Sequence, residues 1–348
     1  MKELKTFGWY AARVSKSLPK EAFQPVPTRL LGGLAYLLIV IVTLLAISLV
    51  QLPLIVTIIL ALVLGFSYAS MGFLGHEILH GTVIRTPWLR NFLGAVFFWP
   101  LCTGPRLWRK WHNMEHHVHT QDEEKDPDAW PTAPEVSKYR IVRMVYKLPL
   151  GVRSFCEFLF LTVQFSLHSL NMFKLYLKQF HVKNRSAVIF QLLLPWISWF
   201  GLLFLIGPEK WFYAFLLPIL IANFIVMSYI STNHRLNPLV EVNDPLANCL
   251  SVTVPKWVDI LHFNFSYHTE HHLFPAMNPK YYPLVKEEIL KRWPERYHQM
   301  PLIRALIVLW RTPRIYHEKN ELLDPHGNRA YQTLGNGLHP KKIHYRDL

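Results

Sequence analysis

The sequence predicts an all-α integral membrane protein: four transmembrane helices in two hairpins, with interfacial helices under a cytosolic helical cap. Three observations carry this. Of 348 residues, 51% are hydrophobic and only 17% charged, against about a quarter charged in soluble proteins, and mean hydropathy is positive. Two long stretches are almost free of charge, and each is broken once by a short turn. Lysine and arginine collect outside those stretches, on what the positive-inside rule makes the cytosolic side.

Residues 1–29 are polar and basic and form a cytosolic amino-terminal segment too long for the lead of a cleavable signal peptide. The first apolar region spans about 30–50 and 53–74, joined at Gln51-Leu52-Pro53, since about 20 apolar residues cross a bilayer core. The second spans about 187–207 and 211–231, joined at Gly207-Pro208-Glu209-Lys210. Phe92–Thr103 is too short to cross and contains Pro100. Phe155–Leu177 is long enough, but Glu157, His168 and Lys174 interrupt it, which suits a helix lying in the interface. Residues 30–290 thus form one membrane domain, with its cap at 75–186 and 232–290. A cytosolic tail follows at 291–348, loosely ordered from about Glu318. Both termini fall in the cytosol.

The net charge of +14 reads as a face for anionic lipid headgroups; no nucleic-acid motif accompanies it. Cys102, Cys156 and Cys249 stand far apart, so neither a disulfide framework nor a thiolate metal site is indicated.

The 18 histidines are more informative, because many are grouped. "GHEILHGT" sets His76 and His80 four apart, on one helix face, directly after the second span. Standing alone, this would be an ordinary interfacial pair. "WHNMEHHVHT" gives His112, His116, His117 and His119, and "HTEHHLFP" gives His268, His271 and His272. His234 emerges just beyond the fourth span, on the same side as His76 and His80. His168, His181, His298, His317, His326, His339 and His344 are single and read as non-ligands. His119 and His262 suit supporting roles behind a ligand.

Nine candidates (His76, His80, His112, His116, His117, His234, His268, His271, His272) are too many for one ion, whereas two ions with four or five nitrogens each would use them. Imidazole suits zinc, copper, iron and nickel alike. A structural zinc needs four ligands and usually recruits cysteine, so a pair of redox ions working on oxygen fits better. A histidine-rich transporter is disfavoured, because transporters place ionisable ligands near the membrane midplane.

"HEILH", "HNMEHH" and "HTEHHLFP", set between two hairpins, resemble the three histidine boxes of the membrane fatty acid desaturase and hydroxylase superfamily over roughly residues 30–290. The resemblance implies two iron ions, dioxygen as co-substrate, and an external electron donor of the ferredoxin or cytochrome b5 type, since no "HPGG" of a fused cytochrome occurs. It implies the box histidines as ligands, Asn264 as a water-mediated contact, and Asp126 and Asp128 of "KDPDAWP" as supporting residues. The reaction it implies is the introduction of a double bond into a fatty acyl chain carried by a lipid or a thioester. Oxygen insertion, by a hydroxylase or carotenoid ketolase of the same superfamily, is the alternative. Two departures stand out. Box two has three residues between His112 and the pair, where two is commoner, and Glu77 takes the place of a frequent aspartate. Box three opens with histidine, unlike the glutamine of front-end enzymes, and the spacing of box one is nearer to acyl-lipid than to acyl-CoA enzymes. Trp108, Trp111, Phe263, Phe265 and Tyr267 flank the boxes and are candidates to line a substrate tunnel. A bacterial plasma membrane is favoured over the endoplasmic reticulum, because no retention signal ends the chain.

Overall fold

The computed structural model describes residues 3–129, 132–138, 140–312, 315–324 and 329–338; His326, His339 and His344 lie outside them. The chain is mostly helical. The principal helices are α1 (Phe7–Val14), α2 (Leu30–Leu49), α3 (Leu54–His80), α4 (Pro87–Phe98), α5 (Arg140–Tyr146), α6 (Leu150–Tyr176), α7 (Val182–Ile206), α8 (Leu217–His234), α9 (His268–Leu273), α10 (Tyr282–Arg292) and α11 (Leu302–Arg311).

Helices α2 and α3 follow from apolar runs without an internal breaker, and the Pro53 that separates them cannot continue a helix from the preceding turn. Pro208–His234 runs as one helical path through a π-helical turn at Phe212–Leu216. The two hairpin tips lie together: Lys210 Nζ donates to the carbonyl of Ser48 at 2.8 Å. Small residues let the helices approach closely. A Cβ at Gly65 would stand 2.7 Å from Ile221, and one at Gly33 2.5 Å from the ring of Phe97. Buried Asn223 on α8 accepts from the Ser166 amide of α6 and donates to its hydroxyl.

Five helices are long and apolar enough to cross a membrane, among them Leu150–Gln179, where the sequence predicts four spans and an interfacial segment. Glu157, His168 and Lys174 do not interrupt this helix; Glu157 and His168 turn towards the protein interior, where they line a cavity.

Opposite the hairpin tips, the amino-terminal segment is packed rather than free. Tyr10 and Val14 of α1 join Leu273, Phe274, Tyr282 and Val285 in a second small core, and Asp244 binds the Lys5 amide, Tyr10 and Arg296. Two small sheets qualify the all-α expectation. β1 (Ser251–Thr253) pairs in parallel with β2 (Gln299–Pro301). β3 (Ile315–Glu318), β4 (Glu321–Asp324) and β5 (Arg329–Gln332) form an antiparallel sheet. The sequence reading of a loose tail from Glu318 is corrected for the described residues 318–324 and 329–338: β4 and β5 are paired there, Tyr316 and Leu322 pack on Leu239, and the Tyr316 hydroxyl donates to the carbonyl of Asn237. The apolar pairs Ile315-Tyr316, Leu322-Leu323 and Ala330-Tyr331, one on each strand, are too short to stand out in a polar stretch.

Candidate metal centre

Each histidine group is delivered by the end of an element. Helix α3 stops at His80 because Gly81 takes φ +83, a left-handed conformation open to glycine, and Thr82 caps the Glu77 carbonyl. His76 and His80 therefore occupy its last turns. His234 is the last residue of α8, and His268, His271 and His272 fill the short α9.

Box two lies on a π-helix, Arg109–His116, in which the hydrogen-bond step is i to i+5. This accounts for its longer spacing: five positions now share a face, and His112 and His117 stand 3.1 Å apart at Nε2. The additional residue is absorbed by the wider turn, and His112 points inward with the pair.

Eight of the nine histidines come together in two groups, and His116 lies between them, beside His112 and Asp128. His76, His80, His112, His117 and His271 form the first, with ligand atoms within 4.8 Å of one another. Nε2 atoms run in a chain from His76 to His112 (3.2 Å), His117 (3.1 Å) and His271 (3.1 Å). His234, His268 and His272 form the second, with Nε2 of His234 and His268 2.6 Å apart. His116 faces this group, its ring 4.9 Å from His234 and 5.2 Å from His272. Cys249 Sγ also lies near, but it is 4.0 Å from His234 Nδ1, the nitrogen already bonded to the Asn248 carbonyl. It therefore sits behind the imidazole, on the far side from Nε2.

Several outward nitrogens are held by partners, though the buried Nδ1 atoms of His76 and His117 have none. His116 Nδ1 is 2.9 Å from Asp126, His271 Nδ1 3.2 Å from the Tyr282 hydroxyl, and His272 Nδ1 3.3 Å from Thr120. Such contacts fix ring orientation and leave Nε2 facing inward. A neutral imidazole has one N–H and one lone pair, so a cluster of converging Nε2 atoms cannot satisfy itself. The buried Nε2 atoms of His80 and His272 have no hydrogen-bond partner. Both facts fit metal ions at the two foci.

Protonation agrees. Burial, reinforced by neighbouring imidazoles, holds His112, His117, His268 and His272 well below the ordinary histidine range. Burial and then His116 take His271 down to about 3. His116 is the exception: burial works to lower it, but the charge and hydrogen bond of Asp126, with Asp128, carry it up to about 9. Apart from His116, which would give up its Nε2 proton on binding an ion, the cage thus presents lone pairs, as metal ligation needs.

Of the other predicted residues, Asp126 and Asp128 lie against His116, at 2.9 and 3.6 Å. His262 is one layer away, bonded to Tyr229 at 3.0 Å and against Phe73. Among the described residues, no hydrogen bond or ring contact joins the side chains of His119 or Asn264 to the cage. Asn264 lies in a turn with φ 63 whose backbone bonds to Asp259. A cavity of about 530 Å³ opens beneath the cage. Trp108, Trp111 and Phe265 line it; Phe263 and Tyr267 do not. Phe263, at φ 55, turns its ring towards Arg29 and Tyr36, and Tyr267 packs towards Tyr282.

Sequence reasoning missed three features. His168, read as isolated, lines the cavity and bonds Asp128 at 2.7 Å. Thr120, Asn248 and Tyr282 hold ligand histidines. Glu77 turns away from the cage to a buried ion pair with Arg29 at 2.7 Å, a reach that the extra methylene over aspartate provides. Similarly, Glu270 binds Ser251 and Tyr297, and burial pushes its carboxyl upward.

A helical protein with helices of membrane-spanning length and histidines gathered in two groups at their common end has the features of a membrane protein with a candidate metal centre. Comparison with known sequences narrows this: the profile of the fatty acid desaturase family matches residues 52–303, and the chain belongs to that family of oxidoreductases. It is 24% identical over 344 residues to an sn-1 oleoyl-lipid 12-desaturase of Synechocystis sp., covering 92% of this chain and 91% of that protein. An enzyme of the same name from Anabaena variabilis is 26% identical, covering 82% and 83%. An acyl-lipid (9-3)-desaturase of Borago officinalis is 27% identical, covering 62% and 53%.

Proposed function

We propose that this chain introduces a double bond into the acyl chain of a membrane lipid at a pair of iron ions held by the nine histidines. One observation carries the reading: both histidine groups border a single cavity of about 530 Å³ with apolar walls. The relatives named for oleoyl-lipid and acyl-lipid substrates support a lipid-linked chain.

Five imidazoles (His76, His80, His112, His117, His271) would hold one ion and four (His116, His234, His268, His272) the other. When bound, the ions supply dioxygen activation, with electrons from a separate ferredoxin or cytochrome b5-type protein. The protein's part is positioning and exclusion of water. Phe98, Leu101, Phe165 and Met227 confine an alkyl chain below the cage, and Trp108 and Phe265 press against His76. Asp126 and Tyr282 fix the rings of His116 and His271.

Four crossings suit the chain better than five. Helix α7 ends at the tips beside Lys210 and passes Gly104 with Gln191 part-way along its length, so it starts on the side away from the tips. The segment from His80 to Val182 therefore begins and ends on the cage side. Among its described helices only α6 is long enough to cross, and a single crossing has no return. Helix α6 then lies along the interface. The amino-terminal segment packs on the cage side, which the distribution of basic residues makes cytosolic. The cyanobacterial relatives favour a bacterial membrane.

The test is product analysis with the iron-loaded protein, a reducing partner and a panel of saturated and monounsaturated lipids. New double bonds are expected, and none with His271→Ala. Hydroxyl or keto products without new double bonds would overturn the reading in favour of oxygen insertion.

A further inference from the structure

We propose that the acyl chain reaches the cage sideways from the bilayer, through a portal between α5 and the first half of α6. Arg140, Arg143 and Lys147 would hold the phosphate of an anionic glycerolipid outside it. This rests on the desaturase reading of a lipid-linked chain and adds the anionic headgroup of that lipid and the route by which its chain enters.

The cavity's outer wall is made by Ile141 and Val145 of α5 and by Cys156, Glu157 and Phe160 of α6. Its rim is apolar and uncovered: Ile141 is 77% exposed, the neighbouring Met144 60% and Phe160 48%. On α6, Phe155 and Leu159 extend this surface, also exposed. A continuous apolar patch at the mouth of a cavity marks an interaction surface. Here the cavity runs in among membrane spans, so lipid is the partner that covers the patch at no cost in exposed apolar area.

Charge identifies which lipid. Helix α5 and the residue after its end carry Arg140, Arg143 and Lys147, all exposed. Among the described residues, none of the three is paired with a carboxylate. Apolar Ile141 and Met144 alternate with these cations. Such a helix lies on a membrane surface with its apolar side in the acyl region and its cations among phosphates.

Length then sets selectivity. Along α6 the cavity extends from Cys156 to His168, about 18 Å at 1.5 Å per residue, and His168 is bonded to Asp128 beside His116. With the headgroup pinned at the outer end, the carbon pair beneath the cage is counted from the ester. The double-bond position is therefore measured from the headgroup, whatever the total chain length.

The experiment is photolabelling of the full chain in nanodiscs of phosphatidylglycerol bearing a diazirine in one acyl chain, with labelled residues mapped by mass spectrometry. Label is expected at Val145, Phe160 and, deeper, Met227. Combined charge reversal, R140E/R143E/K147E, should lower labelling of Met227 by about a hundredfold, as loss of three surface cations implies. Val145→Trp should remove label from Met227 while label on lipid-facing α2 stays. The melting temperature of each variant checks folding. Undiminished label at Met227 in a folded Val145→Trp protein would overturn the portal. So would cavity labelling by a diazirine acyl-CoA in solution with none from the bilayer lipid. Labelling needs no turnover, so the two readings fail separately. A labelled portal without double-bond formation sinks the desaturase reading, and double-bond formation with an unlabelled portal sinks the route.

Discussion

His116 Nδ1 stands 2.9 Å from Asp126 Oδ1, and both side chains are buried. This contact decides which nitrogen of His116 is left for metal, because Nδ1 is engaged and only Nε2 can face His234 and His272. Asp126→Asn keeps the shape but removes the charge that orients and strengthens the ligand. Loss of such a partner typically lowers metal affinity by about 10–100-fold. Iron titration should show the second focus weakened by this amount and the first unchanged, with helical content preserved. Two undisturbed sites in the variant would show that Asp126 does not orient His116.

A second buried contact serves stability rather than chemistry. Arg29 Nε lies 2.7 Å from Glu77 Oε2, and Arg29 also donates to the Phe263 carbonyl. It ties the start of α2 to the last turns of α3 and to the turn before box three. Removing one partner of a buried pair leaves an uncompensated charge, which costs about 3–5 kcal/mol. Arg29→Ala should destabilise by an amount in that range. The double variant Arg29→Met with Glu77→Gln should recover much of the loss. Thermal unfolding in detergent checks this, and equal losses in the single and double variants would contradict it.

These two pairs show what was legible in the sequence. The ligands were readable because histidine is rare, chemically specific and spaced to share helix faces. Asp126 was readable through its motif. Arg29, Thr120, Asn248 and Tyr282 were not, since each is a common residue whose meaning comes from a partner remote in the chain, as Thr120 with His272. His112 was ambiguous because one extra residue displaces a side chain on an α-helix, and only the π-helix restores it. Spans followed from apolar length, but length alone could not say whether α6 crosses or lies flat. Aromatics near the boxes were split by backbone turns: φ 55 at Phe263 sends its ring to Arg29, while Phe265 reaches the cavity.

Close helix packing yields a third prediction. At Gly33 a Cβ would lie 2.5 Å from Phe97 and 2.6 Å from Leu74. Both neighbours are buried, so neither can swing into solvent. Gly33→Val should cost about 1–3 kcal/mol through overpacking, seen as a lower midpoint of thermal unfolding. At Gly201 nothing lies within 4 Å, and the same substitution there should be close to neutral. A reversed order of the two would refute the packing account.

The cage makes metal removal the most local of these perturbations. Nine imidazoles supplied by four segments converge on two foci, and without ions the Nε2 atoms of His80 and His272 are buried with no partner. Each unsatisfied buried polar group costs about 1–3 kcal/mol, and the cost falls on the short elements that carry boxes two and three. The hairpins are secured independently, by contacts such as Tyr68 to the Ala214 carbonyl and Lys210 to Ser48. Chelation should therefore raise amide hydrogen exchange in 109–128 and 268–274 and leave α2 and the outer half of α3 protected. Returning ferrous iron at a hundredfold excess over its Kd should restore about 2.7 kcal/mol per site by mass action. Exchange that rises evenly across all helices would mean that the ions hold the whole bundle together. Exchange unchanged in 109–128 would mean that the histidines do not bind metal.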